Sequence, residues 1–178
     1  VRVSERGWLG RRAGVDMMVA MNPQTWDADL RELEPGGYLF YDSTVPRAPE
    51  ELRDDISVIG MPLTEICNAV YSDPRQRQLF KNIMYVGALS LLLDLDAAVI
   101  EQLLGEQFKG KEKLIAANVQ ALNLGRDFAR EHLKHPLPIR VERAHRVGQR
   151  IFIDGNTAAG LGAVYGGATV CAWYPITP

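Results

Sequence analysis

Cysteine is scarce in this chain, which has only Cys67 and Cys171 among its 178 residues. An iron–sulfur cluster needs about four thiolate ligands, so this sequence cannot supply a complete ligand set by itself. The two cysteines are far apart along the chain and lie among apolar residues. We therefore predict two buried, reduced thiols, and neither a disulfide nor a metal site.

Histidine is scarce as well, with three residues at positions 132, 135 and 145. His132 and His135 would suit a metal ion only if both lay on one ordered helical face, and Pro136 interrupts that face. The sequence therefore predicts no metal site. The pattern is typical of a solvent-exposed C-terminal end of a helix, where His and Lys134 interact favourably with the helix dipole.

The chain also lacks an excess of one charge and a long apolar run. Its formal net charge is −2, and it is 47% hydrophobic and 24% charged, which is typical of a globular protein. Without a basic excess there is no electrostatic footprint for nucleic acid. The longest apolar stretch, residues 83–93, is shorter than the roughly 20 residues that span a membrane, and no signal peptide is visible. We expect a cytoplasmic protein that binds neither membrane nor nucleic acid.

Strand and helix signals alternate in the first 60 residues. Apolar runs predict strands at 15–21, 38–42 and 56–60, and Asn22-Pro23 provides an N-cap and first residue for a helix after the first strand. We expect Pro35-Gly36-Gly37 to end that helix. Strands separated by a helix and a loop indicate the α/β class, with parallel order favoured.

Residues 62–133 carry only helical signals and predict a helical cover for the sheet. Asp73 and Asp96 are expected to cap two helices, of which the second ends near Gly105. A long amphipathic helix is predicted over 109–133. Its apolar positions share one face of the helix; they are Ile115, Val119, Leu122 and Ala129. Its charged residues are expected on the solvent side, and they include Lys111, Glu112, Arg126 and Asp127.

The composition changes again after residue 133. Prolines and basic residues over 134–150 predict an extended linker. Small residues over 155–167 predict a closely packed helix, and the apolar run 168–173 predicts a buried strand. The loop that follows is held stiff by Pro175 and Pro178, and a hydroxyl on such a segment can orient a carboxylate or carbonyl group.

Residues 155–178 read GNTAAGLGAVYGGATVCAWYPITP, and this stretch resembles the opening of the α subunit of 2-oxoacid:ferredoxin oxidoreductases. In that family the Tyr-Pro-Ile-Thr-Pro loop lies over thiamine diphosphate and its threonine contacts the 2-oxoacid. No catalytic residue is identified, because the family's glutamate would come later in the sequence. The resemblance implies four residues that bind substrate or cofactor: Tyr174, Pro175, Ile176 and Thr177.

Residues 2–12 (RVSERGWLGRR) and 15–26 (VDMMVAMNPQTW) resemble the γ domain of the same family, which the 2-oxoglutarate-type enzymes carry ahead of α. The glycine-rich beginning of a γ domain and most of the α subunit have no counterpart here, which implies a piece from the middle of a larger protein. The resemblance implies three parts: a γ-type domain over 1–133, a linker over 134–150, and over 151–178 the first helix and strand of a thiamine-diphosphate-binding pyrimidine-type domain.

The resemblance also implies the reaction, which is oxidative decarboxylation of 2-oxoglutarate to succinyl-CoA with electrons passed to ferredoxin. Thiamine diphosphate with Mg²⁺ would supply the chemistry, and coenzyme A would be the co-substrate. A β-type partner subunit is expected to hold most of the diphosphate site and the 4Fe–4S cluster. The implied enzyme is a higher hetero-oligomer, and this chain is expected to be inactive without that partner and the rest of the α domain.

Two alternatives stay open on the sequence alone. Arg11 and Arg12, beside several glycines, suit phosphate oxygens or a subunit interface, and they suit an ordinary solvated turn equally well. The whole piece could also be a non-catalytic γ-type module that serves assembly or recruits coenzyme A.

Overall fold

The computed structural model describes residues 1–8, 10–145 and 148–172. The chain forms two compact units, Val1–Glu142 and Arg143–Pro178. The first unit contains, in chain order, β1 (Val15–Ala20), α1 (Trp26–Glu32), β2 (Leu33–Asp42), β3 (Ser57–Met61), α2 (Leu63–Val70), α3 (Pro74–Leu92), α4 (Ala97–Gln107) and α5 (Glu112–His132).

The three strands form one parallel sheet with β2 in the centre. Met18 pairs with Leu39, and Leu39 pairs with Val58. Both Leu39 and Phe40 are fully buried although they point to opposite faces of β2. A strand buried on both sides is typical of a parallel sheet with helices on each face. The predicted α/β class and parallel order are therefore confirmed.

The β2 strand begins earlier than the sequence predicts, because Pro35-Gly36-Gly37 lies inside it. The register shifts between Val15 and Met17, so that the extra residues of β2 bulge. Gly36 has φ +77° and donates its backbone N–H to the Asp55 carbonyl at 2.7 Å. The prediction that this tripeptide separates helix from strand was wrong, because glycine in the left-handed region allows a bulge.

The apolar core has two parts, one on each face of the sheet. On one face α1 covers a cluster that includes Trp26, Leu33 and Leu39. On the other face α2, α3 and α5 cover a larger cluster built around Phe40 and Met84. The helical cover predicted over 62–133 is therefore present, and it packs mainly on one side of the sheet.

Helices α3 and α5 cross with their backbones in close contact at two glycines. A Cβ atom on Gly87 would lie 2.0 Å from the Leu122 carbonyl oxygen, and one on Gly125 would lie 1.8 Å from the Met84 carbonyl oxygen. No side chain fits at either position without a backbone shift. These glycines therefore set how closely the two longest helices of the first unit approach.

The burial of α5 partly follows the sequence prediction. Leu122 and Ala129 are fully buried as expected, and the buried Asn118 donates its side-chain N–H to the Leu114 carbonyl at 2.8 Å. Arg126 was wrongly placed on the solvent side. It is half-buried and donates a hydrogen bond of 2.6 Å to the buried Ser90 hydroxyl on α3, because a long arginine side chain can reach back over a closely packed neighbouring helix.

The predicted N-caps are confirmed, because each side chain accepts a backbone hydrogen bond from the first turn. The acceptor–donor pairs are Asn22 with Gln24 N at 3.0 Å, Asp73 with Arg75 N at 2.8 Å and Asp96 with Ala98 N at 3.0 Å.

The second unit contains α6 (Gly155–Tyr165), which Asp154 caps by accepting the Thr157 N–H at 2.9 Å. The helix is confirmed, but its close packing was a wrong prediction, since every α6 residue is exposed. Residues 168–172 are also exposed and form no strand. A strand requires a hydrogen-bonded neighbour, and the described part of this unit contains no other strand.

Part of the predicted linker is hydrogen-bonded to the end of α3. Leu137 and Val141, in the first half of the predicted linker, donate backbone N–H groups to the carbonyls of Leu92 and Leu93 at 2.8 and 3.0 Å. The domain bounds themselves stay a prediction.

Within residues 1–8, 10–145 and 148–172, no helix is both long and apolar enough to cross a membrane.

Candidate functional site

The four binding residues predicted from the sequence, Tyr174, Pro175, Ile176 and Thr177, lie outside the described residues. Their role stays a prediction. The described part of the chain instead brings together two groups of polar side chains. One lies where the strands of the sheet end, and the other lies where they begin.

The first group lies where β2 ends and is built around the Asp42 carboxylate. Thr44 donates its backbone N–H and its hydroxyl to Asp42 Oδ1 at 3.1 and 2.7 Å. Thr64, in the first turn of α2, donates its N–H to Oδ1 at 3.3 Å and its hydroxyl to Oδ2. Lys81 on α3 lies 3.8 Å from Oδ2 and donates to the Thr64 hydroxyl at 3.3 Å. These four residues form the Asp42 network.

The Asp42 carboxylate is held in its charged form. Partial burial raises the pKa of Asp42, but the hydrogen bonds from Thr64 and Thr44 together lower it more, so the pKa lies below its ordinary value of 3.8. Ligands of open α/β sheets bind beyond the carboxyl ends of the strands. Here that position at β2 is filled by side chains that bond to one another, so the network acts as a clamp between the sheet and the helices.

Cys67 and Tyr71 lie on the same face of the sheet and are buried in the larger core cluster. Burial raises the pKa of the Cys67 thiol, which Lys81 lowers only in part. Burial also raises the pKa of Tyr71, whose ring packs against Phe80 at 4.7 Å between centroids. Cys67 is thus buried, as the sequence predicts, and its raised pKa favours the neutral thiol.

Cys171 is exposed, so its predicted burial was wrong; the residues around it in the second unit are exposed too and offer no apolar cover. Among the described residues, no cluster of three or more His, Cys, Asp or Glu side chains could hold a metal ion.

The second group lines a cavity of about 520 Å³ at the edge where the strands begin, which we name the arginine cavity. Four guanidinium groups and two carboxylates contribute to its lining. The charged lining residues are Arg11, Arg12, Arg31, Arg53, Glu32 and Glu34.

Sequence reasoning found Arg11 and Arg12 but missed Arg31 and Arg53. The signal was present, because each of the three strands is preceded within a few residues by an arginine. Parallel strands all begin at the same edge of a sheet, so these arginines meet there.

Three ion pairs hold parts of this lining in place. Arg12 contacts Asp16 at 2.7 Å, and Arg11 contacts Glu32 at 3.5 Å. Arg53 donates to Asp55 at 2.8 and 2.6 Å. The Nη1 atom of Arg53 also donates to the carbonyls of Leu30 and Leu33, at 2.7 Å each, so the side chain caps the C-terminal end of α1.

The comparisons with known proteins all indicate one protein family. The family model described as pyruvate ferredoxin/flavodoxin oxidoreductase matches residues 1–128. The chain is 25% identical to 2-oxoacid:ferredoxin oxidoreductase 2, subunit alpha, of Aeropyrum pernix, over 100% of this chain and 34% of that protein. It is 27% identical to 2-oxoglutarate oxidoreductase subunit KorA of Mycobacterium tuberculosis, over 92% of this chain and 28% of that protein.

A solved structure agrees with these relatives. The 2-oxoglutarate:ferredoxin oxidoreductase of Magnetococcus marinus, solved with 2-oxoglutarate, coenzyme A and succinyl-CoA bound, matches with a TM-score of 0.72 and 25% identity, over 85% of this chain and 26% of that one. This chain thus spans about a third or less of each of these three proteins. The fold, the family model and the relatives agree, and the chain belongs to the pyruvate ferredoxin/flavodoxin oxidoreductase family.

Proposed function

We propose that this chain is part of a 2-oxoacid:ferredoxin oxidoreductase that oxidatively decarboxylates 2-oxoglutarate to succinyl-CoA and passes the electrons to ferredoxin. The family match over residues 1–128 carries the proposal. The preference for 2-oxoglutarate is supported by the relative named 2-oxoglutarate oxidoreductase subunit KorA and by the fold match to an enzyme solved with 2-oxoglutarate and succinyl-CoA.

The cofactors follow from the proposed reaction. Thiamine diphosphate with Mg²⁺, when bound, supplies the carbanion chemistry that removes carbon dioxide from a 2-oxoacid. The contribution of this chain would be the loop Tyr174 to Thr177, whose threonine hydroxyl would orient the 2-oxoacid. Pro175 and Pro178 would hold that hydroxyl in place, since each proline restricts the backbone of the residue before it.

The chain does not fit an iron–sulfur cluster of its own. It has two cysteines, of which Cys67 is buried in the first unit and Cys171 belongs to the second. A β-type subunit would therefore hold the cluster and most of the diphosphate site, and the working enzyme would be a hetero-oligomer.

A non-catalytic role is the second candidate. The family match ends at residue 128 and so lies within the first unit, whereas the Thr177 loop belongs to the second. This distribution favours a γ-type module that serves assembly or recruits coenzyme A. The two candidates differ in one respect: only the catalytic one requires Thr177 during turnover.

The test uses the complete polypeptide that contains this chain, assembled with its β-type partner. We expect the wild-type complex to reduce ferredoxin when both 2-oxoglutarate and coenzyme A are present. Thr177→Val should lower turnover by about tenfold or more, because one hydrogen bond to a charged substrate is lost, while assembly measured by size-exclusion chromatography stays unchanged.

Two further variants sharpen this comparison. Thr177→Ser keeps the hydroxyl and should retain most of the activity. Thr169→Val removes an exposed hydroxyl of the second unit outside the loop and should have no effect. Wild-type turnover in Thr177→Val would remove the substrate role of the loop and leave the non-catalytic module as the better account.

A further inference from the structure

The role proposed for the loop Tyr174 to Thr177 leaves the arginine cavity without a function, and the guanidinium groups that line the cavity are suited to binding anions. Its guanidinium groups come from three separate segments: Arg11 and Arg12 precede β1, Arg31 precedes β2 and Arg53 precedes β3. The parallel order of the sheet brings these segments to one edge. The convergence is therefore produced by the fold and not by neighbours along the sequence.

The guanidinium groups differ in how firmly they are held. Arg53 is fixed by two backbone carbonyls and by both oxygens of Asp55, so it forms a rigid wall. Arg11 is held only by a contact of 3.5 Å to Glu32, and both side chains are largely exposed. Such an exposed ion pair contributes little to stability, so it can open for a stronger ligand.

Arg31 is the group most available to a ligand. It is exposed at the last turn of α1, and within the part of the chain that the structure describes it forms no hydrogen bond or ion pair. A guanidinium presents its N–H donors in a planar fork that matches the oxygens of a phosphate group. Arg31 and Arg11 can therefore both turn toward one anion in the cavity.

The carboxylates of the lining limit what the cavity can accept. Glu32 is the partner of Arg11, and Glu34 lies against Gly14, where a Cβ atom would meet its Oε1 at 1.8 Å. A ligand must compete with Glu32 for Arg11, which favours phosphate, with its several oxygens and multiple charges, over a single carboxylate.

We propose that the arginine cavity is a binding site for a phosphate-bearing anion, held by Arg31 and Arg11 against the wall formed by Arg53. A free phosphate or diphosphate ion would bind there whether or not the chain takes part in 2-oxoacid oxidation; with coenzyme A as the ligand, the inference rests on the proposed function and gives the co-substrate a site on this chain. Two sources share this chemistry: a free phosphate or diphosphate ion, and the phosphate groups of a nucleotide-containing molecule such as coenzyme A.

The test measures binding of inorganic pyrophosphate to the complete protein by isothermal titration calorimetry at low ionic strength. We expect saturable binding that weakens as salt is added, because exposed charges are screened. Arg31→Gln should weaken binding about tenfold, and Arg31→Lys should have a smaller effect because it keeps the charge but loses the fork. Thermal melting of each variant should match the wild type, since Arg31 is exposed.

Arg75→Gln is the matched control, because Arg75 is exposed on α3 and does not line the cavity. It should leave pyrophosphate binding unchanged. Binding that does not respond to Arg31→Gln, or the absence of saturable binding, would overturn the proposal even if the assembled enzyme oxidises 2-oxoglutarate.

A competition experiment separates the two sources of the phosphate group. If coenzyme A displaces pyrophosphate and binds more tightly, the site takes the phosphates of a nucleotide-containing molecule. If coenzyme A binds no better than pyrophosphate, the site is a general phosphate site. Both results support the anion site, and in both Arg31→Gln must weaken the binding of the competitor as well.

Discussion

Asp42 joins three segments of the chain through one carboxylate. It ends β2, and it accepts hydrogen bonds from the loop that follows and from the first turn of α2, while Lys81 of α3 lies beside it. The hydrogen bonds from Thr64 and Thr44 favour the ionised form of the side chain. The clamp therefore depends on the charge of Asp42 and hence on pH.

Loss of the charge should destabilise the first unit in a predictable range of pH. The folded-state pKa of Asp42 lies below its ordinary value of 3.8, because the hydrogen bonds from Thr64 and Thr44 outweigh the opposing effect of burial. Its contribution to stability is thus fully present above the unfolded pKa, and it is lost as pH falls through the folded pKa. We expect Asp42→Asn to lower the free energy of unfolding by about 1–3 kcal/mol at pH 7.

Urea unfolding of the wild type and of Asp42→Asn between pH 7 and pH 3 checks this expectation. The difference between the two proteins should shrink toward the acid end, where the wild-type carboxylate also becomes protonated. Glu101→Gln is the control, because Glu101 is an exposed carboxylate on α4, outside the network and beyond the first turn of its helix. A difference that stays constant across the pH range would contradict the role of the Asp42 charge.

Single-residue features differ in how far the sequence reveals them. The N-caps at Asn22, Asp73 and Asp96 could be predicted because a cap bonds to a residue two positions ahead. The partnership of Asp42 with Thr64 could not, since the two are 22 residues apart and meet only when β2 and α2 are in place. Local chemistry is visible in a sequence, whereas a pairing made by the fold is not.

The crossing of α3 and α5 depends on having no side chain at two positions. We expect Gly125→Ala to lower the free energy of unfolding by at least about 2 kcal/mol, because its Cβ would lie 1.8 Å from the Met84 carbonyl oxygen and would push two helix backbones apart. The measurement is the midpoint of chemical denaturation, with an unchanged slope showing that the unfolded state is not affected.

Gly105→Ala supplies a control within the same unit. Gly105 lies in α4, and nothing lies within 4 Å of the position that its Cβ would take. Because alanine is the better helix former, this change should leave stability unchanged or raise it by up to about 1 kcal/mol. Equal effects of Gly125→Ala and Gly105→Ala would show that the contact between α3 and α5 is looser than the structure indicates.

The elements that could be predicted are those whose signal is contained within them. β1 and α3 follow from an apolar run and from a cap with proline at the first turn, respectively. Pro35-Gly36-Gly37 misled because the same residues suit a helix end and a bulge, and only the pairing of β1 with β2 decides between them. Residues 168–172 misled because an apolar run forms a strand only beside another strand.

The residues matched by the family model and the predicted binding loop lie in different units of the chain. The family match covers residues 1–128 of the first unit, whereas Tyr174 to Thr177 belong to the second. The chain also spans at most 34% of the curated relatives reported above. The candidate binding loop could be inferred only from its resemblance to a family motif, because its short sequence has no chemistry that identifies a ligand by itself.

The most direct test of the proposed function is the substrate dependence of the assembled enzyme. The complete polypeptide and its β-type partner are assayed for ferredoxin reduction with 2-oxoglutarate or pyruvate, each with and without coenzyme A. We predict reduction that requires coenzyme A and a kcat/KM for 2-oxoglutarate at least about tenfold above that for pyruvate. A higher kcat/KM for pyruvate would contradict the assigned substrate, and no reduction with either 2-oxoacid would contradict the proposed reaction.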